Sequence, residues 1–453
     1  MDLKDKRVLV VGLGKSGVAS ALFLKAHGAR VTVSDTKSGD DLRNEIPALL
    51  DHGITVETGG HGERTFRGQD LIVVSPGVPV DAPPLVQARS LGEIVIGEIE
   101  LAAQFLPGTI VAVTGSNGKT TTTTLTGEIL AAGGLPTLVG GNIGTPAISL
   151  AERAKPETVI VLEVSSFQLE TIQTFRPKVA VVLNVTPDHL DRHRTLEVYV
   201  NAKARIFENQ GSEDFAVLNA DDPTCVAMAG RTQAQVFWFS RQKEVKQGAW
   251  VREGAIVFRD GLGPEEAVQR EIMLASEIPL KGAHNLENVL AAVCAGMLMG
   301  CAPEKIRQAV RDFKAVEHRL EFVATIRGVD YYNDSKATNV DATIKALESF
   351  PANIHLILGG KDKGSDYSVL NDLLRQRVKR VYTIGAAAAK IESQIKNVEV
   401  VRAETLENAL RKANAVAEPG DVVLLAPACA SFDQFKNYEQ RGQIFKEIVQ
   451  GLS

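Results

Sequence analysis

Short runs of β-branched and aliphatic residues recur along the chain, and each stops at a glycine or a polar turn. Runs that are apolar throughout fit strands covered on both faces, as in parallel sheets packed between helices. The spacing predicts strands at the start of Arg7–Gly17, at Arg30–Ser34, within Asp70–Val78, from Thr109, and at Thr158–Val164, Val179–Leu183 and Phe215–Leu218. A later series predicts Val329–Asn333, Ile354–Leu358, Arg380–Ile384, Val398–Arg402 and Asp421–Ala426. Helical spacing covers Tyr199–Phe207 and a long stretch from Gly282 through Gly300, and Ala386–Ala389 reads as a helix start. Strand and helix in alternation predict an α/β chain of doubly wound sheets. Phe237–Glu271 differs: its polarity alternates between turns, which predicts a small antiparallel addition.

The pattern breaks at Ile94–Glu100 and again at Phe313–Glu317, so 453 residues divide into domains 1–97, 98–315 and 316–453. Hydrophobic residues are 44% and charged residues 23% of the chain, ordinary for a globular protein with sizeable cores. A net charge of −5 argues against nucleic acid or an anionic membrane as partner. Cys225, Cys294, Cys301 and Cys429 lie far apart without metal-ligand spacing, as expected of reduced, buried thiols in a cytoplasmic protein. The apolar run after Met1–Arg7 is cut by Gly12 and Gly14, so neither export nor membrane insertion is expected.

Candidate chemistry concentrates in the turns. TIVAVTGSNGKTTTTT (Thr109–Thr124) is a strand breaking into Gly115-Ser116-Asn117-Gly118-Lys119-Thr120 and then a helix. Glycines let backbone N–H groups converge on phosphate oxygens, Lys119 adds a cation and Thr120 offers a hydroxyl to Mg²⁺. The helix dipole favours the same anion. Val113 stands where the full nucleotide loop has glycine, so this is a shortened ATP cradle, with an ordinary strand-to-helix turn as the alternative. Gly12-x-Gly14-x-x-Gly17, with Asp35 after the next strand, predicts a Rossmann-like nucleotide site; glycines needed only for tight packing are the alternative. Ser75-Pro76-Gly77 ends a further strand at the same edge. Glu163, at a strand end beside the phosphate loop, is a Mg²⁺ ligand or a helix-capping carboxylate. His189, in the polar turn Asn184–Asp191, is a candidate metal or substrate ligand. Lys203 sits among apolar neighbours on a helix, and by default such a lysine reaches solvent. Asn285 and Asn288, three apart on one helix face, can read an adenine edge.

Taken in order, TGSNGKT, EVSSFQLE, NVTPDHLDRH, the lysine of NAKARIF, GAHNLEN, EHR and NDSKATN resemble the Mur ligase family over essentially the whole chain. PACASFDQFKNYEQRG (Pro427–Gly442) and GGKDKGSDY resemble the branch of it that adds D-glutamate. The resemblance implies three domains: Rossmann-like, then central P-loop ATPase-like, then C-terminal doubly wound α/β. It implies a monomeric, cytoplasmic, ATP-dependent amide ligase of peptidoglycan precursor synthesis. Its substrates would be UDP-N-acetylmuramoyl-L-alanine, D-glutamate and ATP, with an acyl phosphate on the way to product.

The same resemblance assigns residues. Thr120 and Glu163 would hold one Mg²⁺, and His189 with Lys203, carbamylated by CO₂, a second, which overrides the solvent reading of Lys203. Lys119, Glu163, His189 and Lys203 would form the catalytic set. Gly115, Ser116, Asn117, Gly118, Lys119 and Thr120 would cradle the phosphates, Asn285 and Asn288 meet adenine, and Arg319, Asp334 and Lys336 reach ATP from the third domain. Gly14, Ser16, Asp35, Thr36, Lys37, Ser75 and Gly77 would meet the uridine diphosphate, and Asn142 and His189 the muramoyl-alanine end. Lys37 stands where some relatives are expected to carry arginine. Thr338, Lys363, Ser431, Phe432 and Tyr438 would form the D-glutamate pocket. Ser431 would be aided by N–H groups of a helix starting after Ala430, with Asp433 in its first turn.

Two other classes stay open at this point. A nicotinamide oxidoreductase built on Gly12–Gly17 and Asp35 leaves Lys119, Glu163 and the C-terminal motifs without a use. An ATP-binding sensor would bind nucleotide without substrate-dependent turnover.

Overall fold

A computed structural model describes residues 1–62, 64–261, 268–280, 282–314 and 316–452. The expected boundary residue Ala315, and residues 262–267 of the expected antiparallel region, lie outside the described residues.

Among the described residues the strands form three sheets. The first holds β1 (Arg7–Val11), β2 (Arg30–Ser34), β3 (Thr55–Glu57), β4 (Leu71–Val74) and β5 (Val95–Gly97), all parallel, in the order β3-β2-β1-β4-β5. Val8, Leu9, Val10 and Val11 are all buried, as a run covered on both faces must be; each such side chain contributes on the order of 1.5–3 kcal/mol.

The second sheet holds β6 (Thr109–Thr114), β7 (Thr137–Gly141), β8 (Val159–Glu163), β9 (Val179–Val182), β10 (Phe215–Asn219), β11 (Gln235–Ser240), β12 (Gly248–Arg252), β13 (Ala255–Arg259) and β14 (Gln269–Leu274). Its order is β14-β13-β12-β11-β10-β9-β6-β8-β7. The expected antiparallel addition is present as β12–β14, and the expectation is corrected for β11 and for its pairing with β12. β11 continues the sheet parallel to β10 and β12 parallel to β11, and only β12–β13 and β13–β14 pair antiparallel. Period-two alternation gives a strand's faces and says nothing about its partner's direction.

The third sheet holds β15 (Glu321–Ile326), β16 (Val329–Asn333), β17 (Ile354–Gly359), β18 (Val378–Ile384), β19 (Glu399–Glu404) and β20 (Val422–Leu425), in the order β15-β16-β20-β17-β18-β19. It is parallel except at its edge, where β15 joins β16 antiparallel through Arg327 and Gly328, both at positive φ as tight hairpin turns require. The sequence reading did not anticipate β15.

The chain divides into two compact units. Met1–Val185, Glu197–Leu274 and Val289–Val310 form one, with the first two sheets; Thr186–Leu196, Ala275–Asn288 and Arg311–Ser453 form the other, with the third. Within the first unit, the helix Glu98–Ala103 ties the two sheets together through carboxylates. Glu100 accepts from the N–H groups of Gln173, Thr174 and Phe175 and from the Thr174 hydroxyl. Burial opposes its ionisation, but these hydrogen bonds outweigh that and hold the carboxyl below its ordinary range. Glu98 is the opposite case: it accepts from Ile148 N–H at 2.8 Å, and its Oε2 has no hydrogen-bond partner among the described residues. Burial outweighs the hydrogen bonds to its carboxylate and pushes its pKa from 4.5 up to about 7.

Between those two values the folded chain keeps a proton that the unfolded chain has lost. Stability therefore falls as pH rises from about 4.5 to about 7 and levels off above that window. Replacing Glu98 with glutamine removes this titration. The melting temperature of Glu98→Gln should decline less than that of the unmodified chain between about pH 5 and about pH 8. Equal declines in both proteins would place the pH effect elsewhere.

Candidate active site

β6 ends at Thr114, and Gly115 (φ +153°) and Gly118 (φ +86°) turn the chain into the helix Lys119–Ala132. Gly118 at the N-cap has no side chain to cap that helix, whose start is a dipole end suited to an anion. Lys119 Nζ donates to Gly115 O and Ser116 O, each at 2.9 Å, so its ammonium lies over its own loop. Lys203 Nζ donates to the same Gly115 carbonyl at 2.8 Å and sits 4.6 Å from the Tyr199 ring centroid. Lys203 is only 1% exposed, so the solvent default for it is wrong. Tyr199, Ala202 and Ala204 are buried with it, on the inward side of the helix Leu196–Ala204.

Three predicted residues meet beside the loop. Thr120 Oγ1 donates to Glu163 Oε2 at 2.8 Å, and Asn142 Nδ2 donates to Glu163 Oε1 at 2.8 Å. Gly141 makes this approach possible, because a Cβ there would lie 2.3 Å from Glu163 O. Among the described residues, no three His, Cys, Asp or Glu side chains gather as a metal cage. A hydroxyl and one carboxylate nevertheless suit Mg²⁺, which keeps several waters and takes one or two carboxylates with substrate phosphates.

In the first domain, Asp35 accepts from Leu13 N–H at 2.6 Å and Lys37 N–H at 2.9 Å. Ser75 Oγ donates to Gly12 O at 2.7 Å. A Cβ on Gly17 would lie 1.8 Å from Gly12 O, so that glycine serves close helix–strand packing. Gly14 and Gly77 differ: a Cβ at either would meet nothing within 4 Å, and neither has positive φ. Neither packing nor backbone conformation requires glycine at these two positions. Ser16 is half-buried, and Thr36 and Lys37 are exposed.

In the second unit, Asn288 Nδ2 donates to Asn285 Oδ1 at 3.1 Å, pairing the two amides at the start of the helix Ala283–Leu298. Asp334 is buried at the end of β16, and burial pushes its pKa up to about 7 against the pull of Arg319 and the Leu320 N–H. Lys336 Nζ lies 4.9 Å from the Tyr438 ring centroid, and Thr338 N–H donates to Lys336 O. Lys363 pairs with Asp188 at 3.5 Å, and Asn339 Nδ2 donates to the same carboxylate at 3.0 Å. A cavity of about 530 Å³ is lined by His189, Asp188, Lys363, Asn339 and Val340 among others, so the predicted His189 and Lys363 share one pocket. Asp188, which the sequence reading passed over, holds Lys363 there.

The closing motif is corrected. No helix starts after Ala430: Gln434 and Phe435 N–H close a turn on Ser431 O, and the helix starts at Tyr438, capped by Asn437. Asp433 is not in the first turn of a helix of its own; its carboxylate accepts from Ala386 N–H at 2.9 Å, just ahead of the helix Ala388–Gln394. Ser431 is buried, whereas Phe432 is 67% exposed, so these neighbours point to different surroundings. Arg441, also missed, is fully buried and donates to Ser335 Oγ, Ser335 O and Cys429 O, which ties two site loops together. Burial lowers its pKa to about 10. All four cysteines are buried and free.

Three family models match in sequence: "Mur ligase MurD-like, N-terminal domain" over residues 6–97, "Mur ligase middle domain" over 113–296, and "Mur ligase, glutamate ligase domain" over 318–429. The UDP-N-acetylmuramoylalanine--D-glutamate ligase of Koribacter versatilis is 69% identical over 453 residues, covering 100% of this chain and 99% of that protein. The Acidobacterium capsulatum protein of the same name is 60% identical, covering 99% and 97%. Among solved structures, the MurF ligase of Thermotoga maritima in complex with ADP matches with a TM-score of 0.62 at 19% identity over 100% of both chains. UDP-N-acetylmuramate-alanine ligase MurC from Thermotoga maritima matches at 0.59 and 20%, over 99% of this chain and 100% of that one. These two share the fold.

Proposed function

The chain belongs to the Mur ligase family, and from that premise we propose that it uses ATP to join D-glutamate to UDP-N-acetylmuramoyl-L-alanine, releasing ADP and phosphate. The observation that carries this reading is 69% identity across the whole chain to a relative named for that reaction. The oxidoreductase and sensor alternatives do not explain that identity, and the oxidoreductase also leaves the Thr120–Glu163–Asn142 cluster at the phosphate loop without a use.

Charge dictates the chemistry. A carboxylate resists attack by an amine, because its carbon is shielded and oxide is a poor leaving group. Transfer of the γ-phosphoryl to the L-alanyl carboxylate gives an acyl phosphate, which the D-glutamate amine attacks; phosphate then leaves the tetrahedral adduct. Lys119 and Arg319 are the cations proposed to offset charge on the transferred group, and Gly115–Thr120 the cradle. Thr120 and Glu163 are proposed to hold one Mg²⁺, and His189 and a carbamate on Lys203 to be ligands of a second. When bound, the ions supply Lewis acidity and screening at the phosphates.

The remaining assignments are likewise proposals. Asn285 and Asn288 read adenine, and Asp334 and Lys336 reach ATP. Gly14, Ser16, Asp35, Thr36, Lys37, Ser75 and Gly77 take the uridine diphosphate, with Asn142 and His189 at the muramoyl-alanine end. Domains 1–97, 98–315 and 316–453 would each take one substrate, in a cytoplasmic monomer. No helix among the described residues is long and apolar enough to cross a membrane.

D-Glutamate has two carboxylates, so its pocket needs two separate anion-binding groups. Lys363 with Thr338 is assigned to one and Ser431 to the other, with Tyr438 and Phe432 as walls. ADP release with UDP-N-acetylmuramoyl-L-alanine should follow D-glutamate, and L-glutamate, L-alanine and L-lysine should barely support it. Ser431→Ala should raise KM for D-glutamate far more than KM for ATP. Comparable turnover with L-lysine would sink the assignment.

A further inference from the structure

The pairing of β6 with β9 does not stop where the strands stop. Leu183 N–H donates to Thr114 O at 3.1 Å, and Ser116 N–H donates to Asn184 O at 2.9 Å. One residue on, the side chain takes over: Asn117 N–H donates to Asn184 Oδ1 at 2.9 Å, and Asn184 Nδ2 donates to Asn117 O at 3.1 Å. A carboxamide carries the donor and acceptor of a peptide unit in one plane. The Asn184 side chain therefore acts as one more rung of the ladder, extended into the phosphate loop. Asn184 is buried, so water competes little for these bonds.

The shortened loop explains why a rung is needed. Val113 and Thr114 are still strand, so only Ser116 and Asn117 separate Gly115 from Gly118. Both glycines have positive φ, where a residue without Cβ has the most conformational freedom to lose. A Ser116-Asn117 segment hinged between two glycines would sample many orientations unless something held it. Asn184 holds both of its peptide faces, through its own carbonyl and its side chain.

We propose that Asn184 is the positioning residue of the phosphate loop: it fixes the Asn117 peptide toward β9, so that the phosphate-facing part of the loop begins at Gly118. Asn117 then contributes to the loop's shape, its N–H being directed to Asn184. A carboxylate in place of Asn184 has no donor for Asn117 O and cannot supply both bonds. The inference rests on the reading of this loop as an ATP cradle and narrows its phosphate-facing part to Gly118 onward, and the test separates the two.

Mg-ADP binding by calorimetry, with KM for each substrate, is measured on the full chain, on Asn184→Ala and on Asn184→Asp. The unmodified chain should bind Mg-ADP; failure to bind would overturn the ATP reading itself. Asn184→Ala should weaken ADP binding about tenfold, the effect of two ordinary hydrogen bonds on the bound conformation. Asn184→Asp keeps the size and the acceptor but faces Asn117 O with an oxygen, and should weaken binding at least as much. KM for the other two substrates should stay within about twofold, a split that general loosening would not give. ADP affinity equal in all three proteins would overturn the proposal. So would a lowered Tm with all three KM values rising together. If the alanine variant fails to fold, the isosteric aspartate variant decides.

Discussion

Replacing Lys203 with alanine is expected to reduce ADP release by at least about a hundredfold, and short carboxylic acids are expected to return part of it. An ammonium is not a Mg²⁺ ligand, whereas a carbamate offers hard anionic oxygens. The structure makes the variant interpretable. Lys203 Nζ donates to Gly115 O, but Lys119 Nζ donates to the same oxygen, so removing Lys203 does not orphan that buried carbonyl. The vacated space at a 1% exposed position can admit acetate or propionate. Lys203→Arg keeps a cation but cannot form the carbamate, so it should stay inactive and unrescued. Full activity in the alanine variant, or in the arginine variant, would refute the metal role. Melting temperatures measured alongside would show whether any loss is only unfolding.

Lys119→Ala is expected to cost on the order of a hundredfold or more in kcat, as removal of a preorganised charge contact does elsewhere. Its melting temperature should scarcely move. The Lys119 ammonium donates to two carbonyls of its own loop, Gly115 O and Ser116 O. Those bonds must give way when phosphate oxygens arrive, so the cation is stored close to its place of use. Lys119→Arg should recover little, since a planar fork does not replace a compact point charge in a cradle shaped for one. A variant that unfolds, or one that turns over at the original rate, would defeat the assignment.

Much of the fold was legible because it is written in local pattern. β1, β2 and β16 match the expected Arg7, Arg30–Ser34 and Val329–Asn333 runs, and the Thr109 strand breaks into its helix where Gly118 says it should. An apolar run ending in glycine carries its own boundary, through hydration and backbone sterics alone. The glycine loop Gly115–Thr120, the carboxylate Glu163 at a strand end and the amide pair Asn285–Asn288 were therefore nameable from residue type and spacing.

What needed the tertiary structure was every property set by a partner distant in sequence. The direction in which β11 and β12 pair depends on which edge was left exposed, and alternation does not encode that. Asp433 and Ser431 looked like a helix start, but Ala386 N–H claims the Asp433 carboxylate from 47 residues away and Asn437 supplies the actual cap. Lys203, Asp188, Asn184 and Arg441 are ordinary polar residues in sequence. Their partners, Gly115, Lys363, Asn117 and Ser335, are met only once the fold brings separate segments together. Local sterics and hydrophobic period thus determined the elements and the loops between them, while the assignment of each polar group to its partner was decided by long-range packing, because a hydrogen bond records proximity in space and leaves no period in the chain.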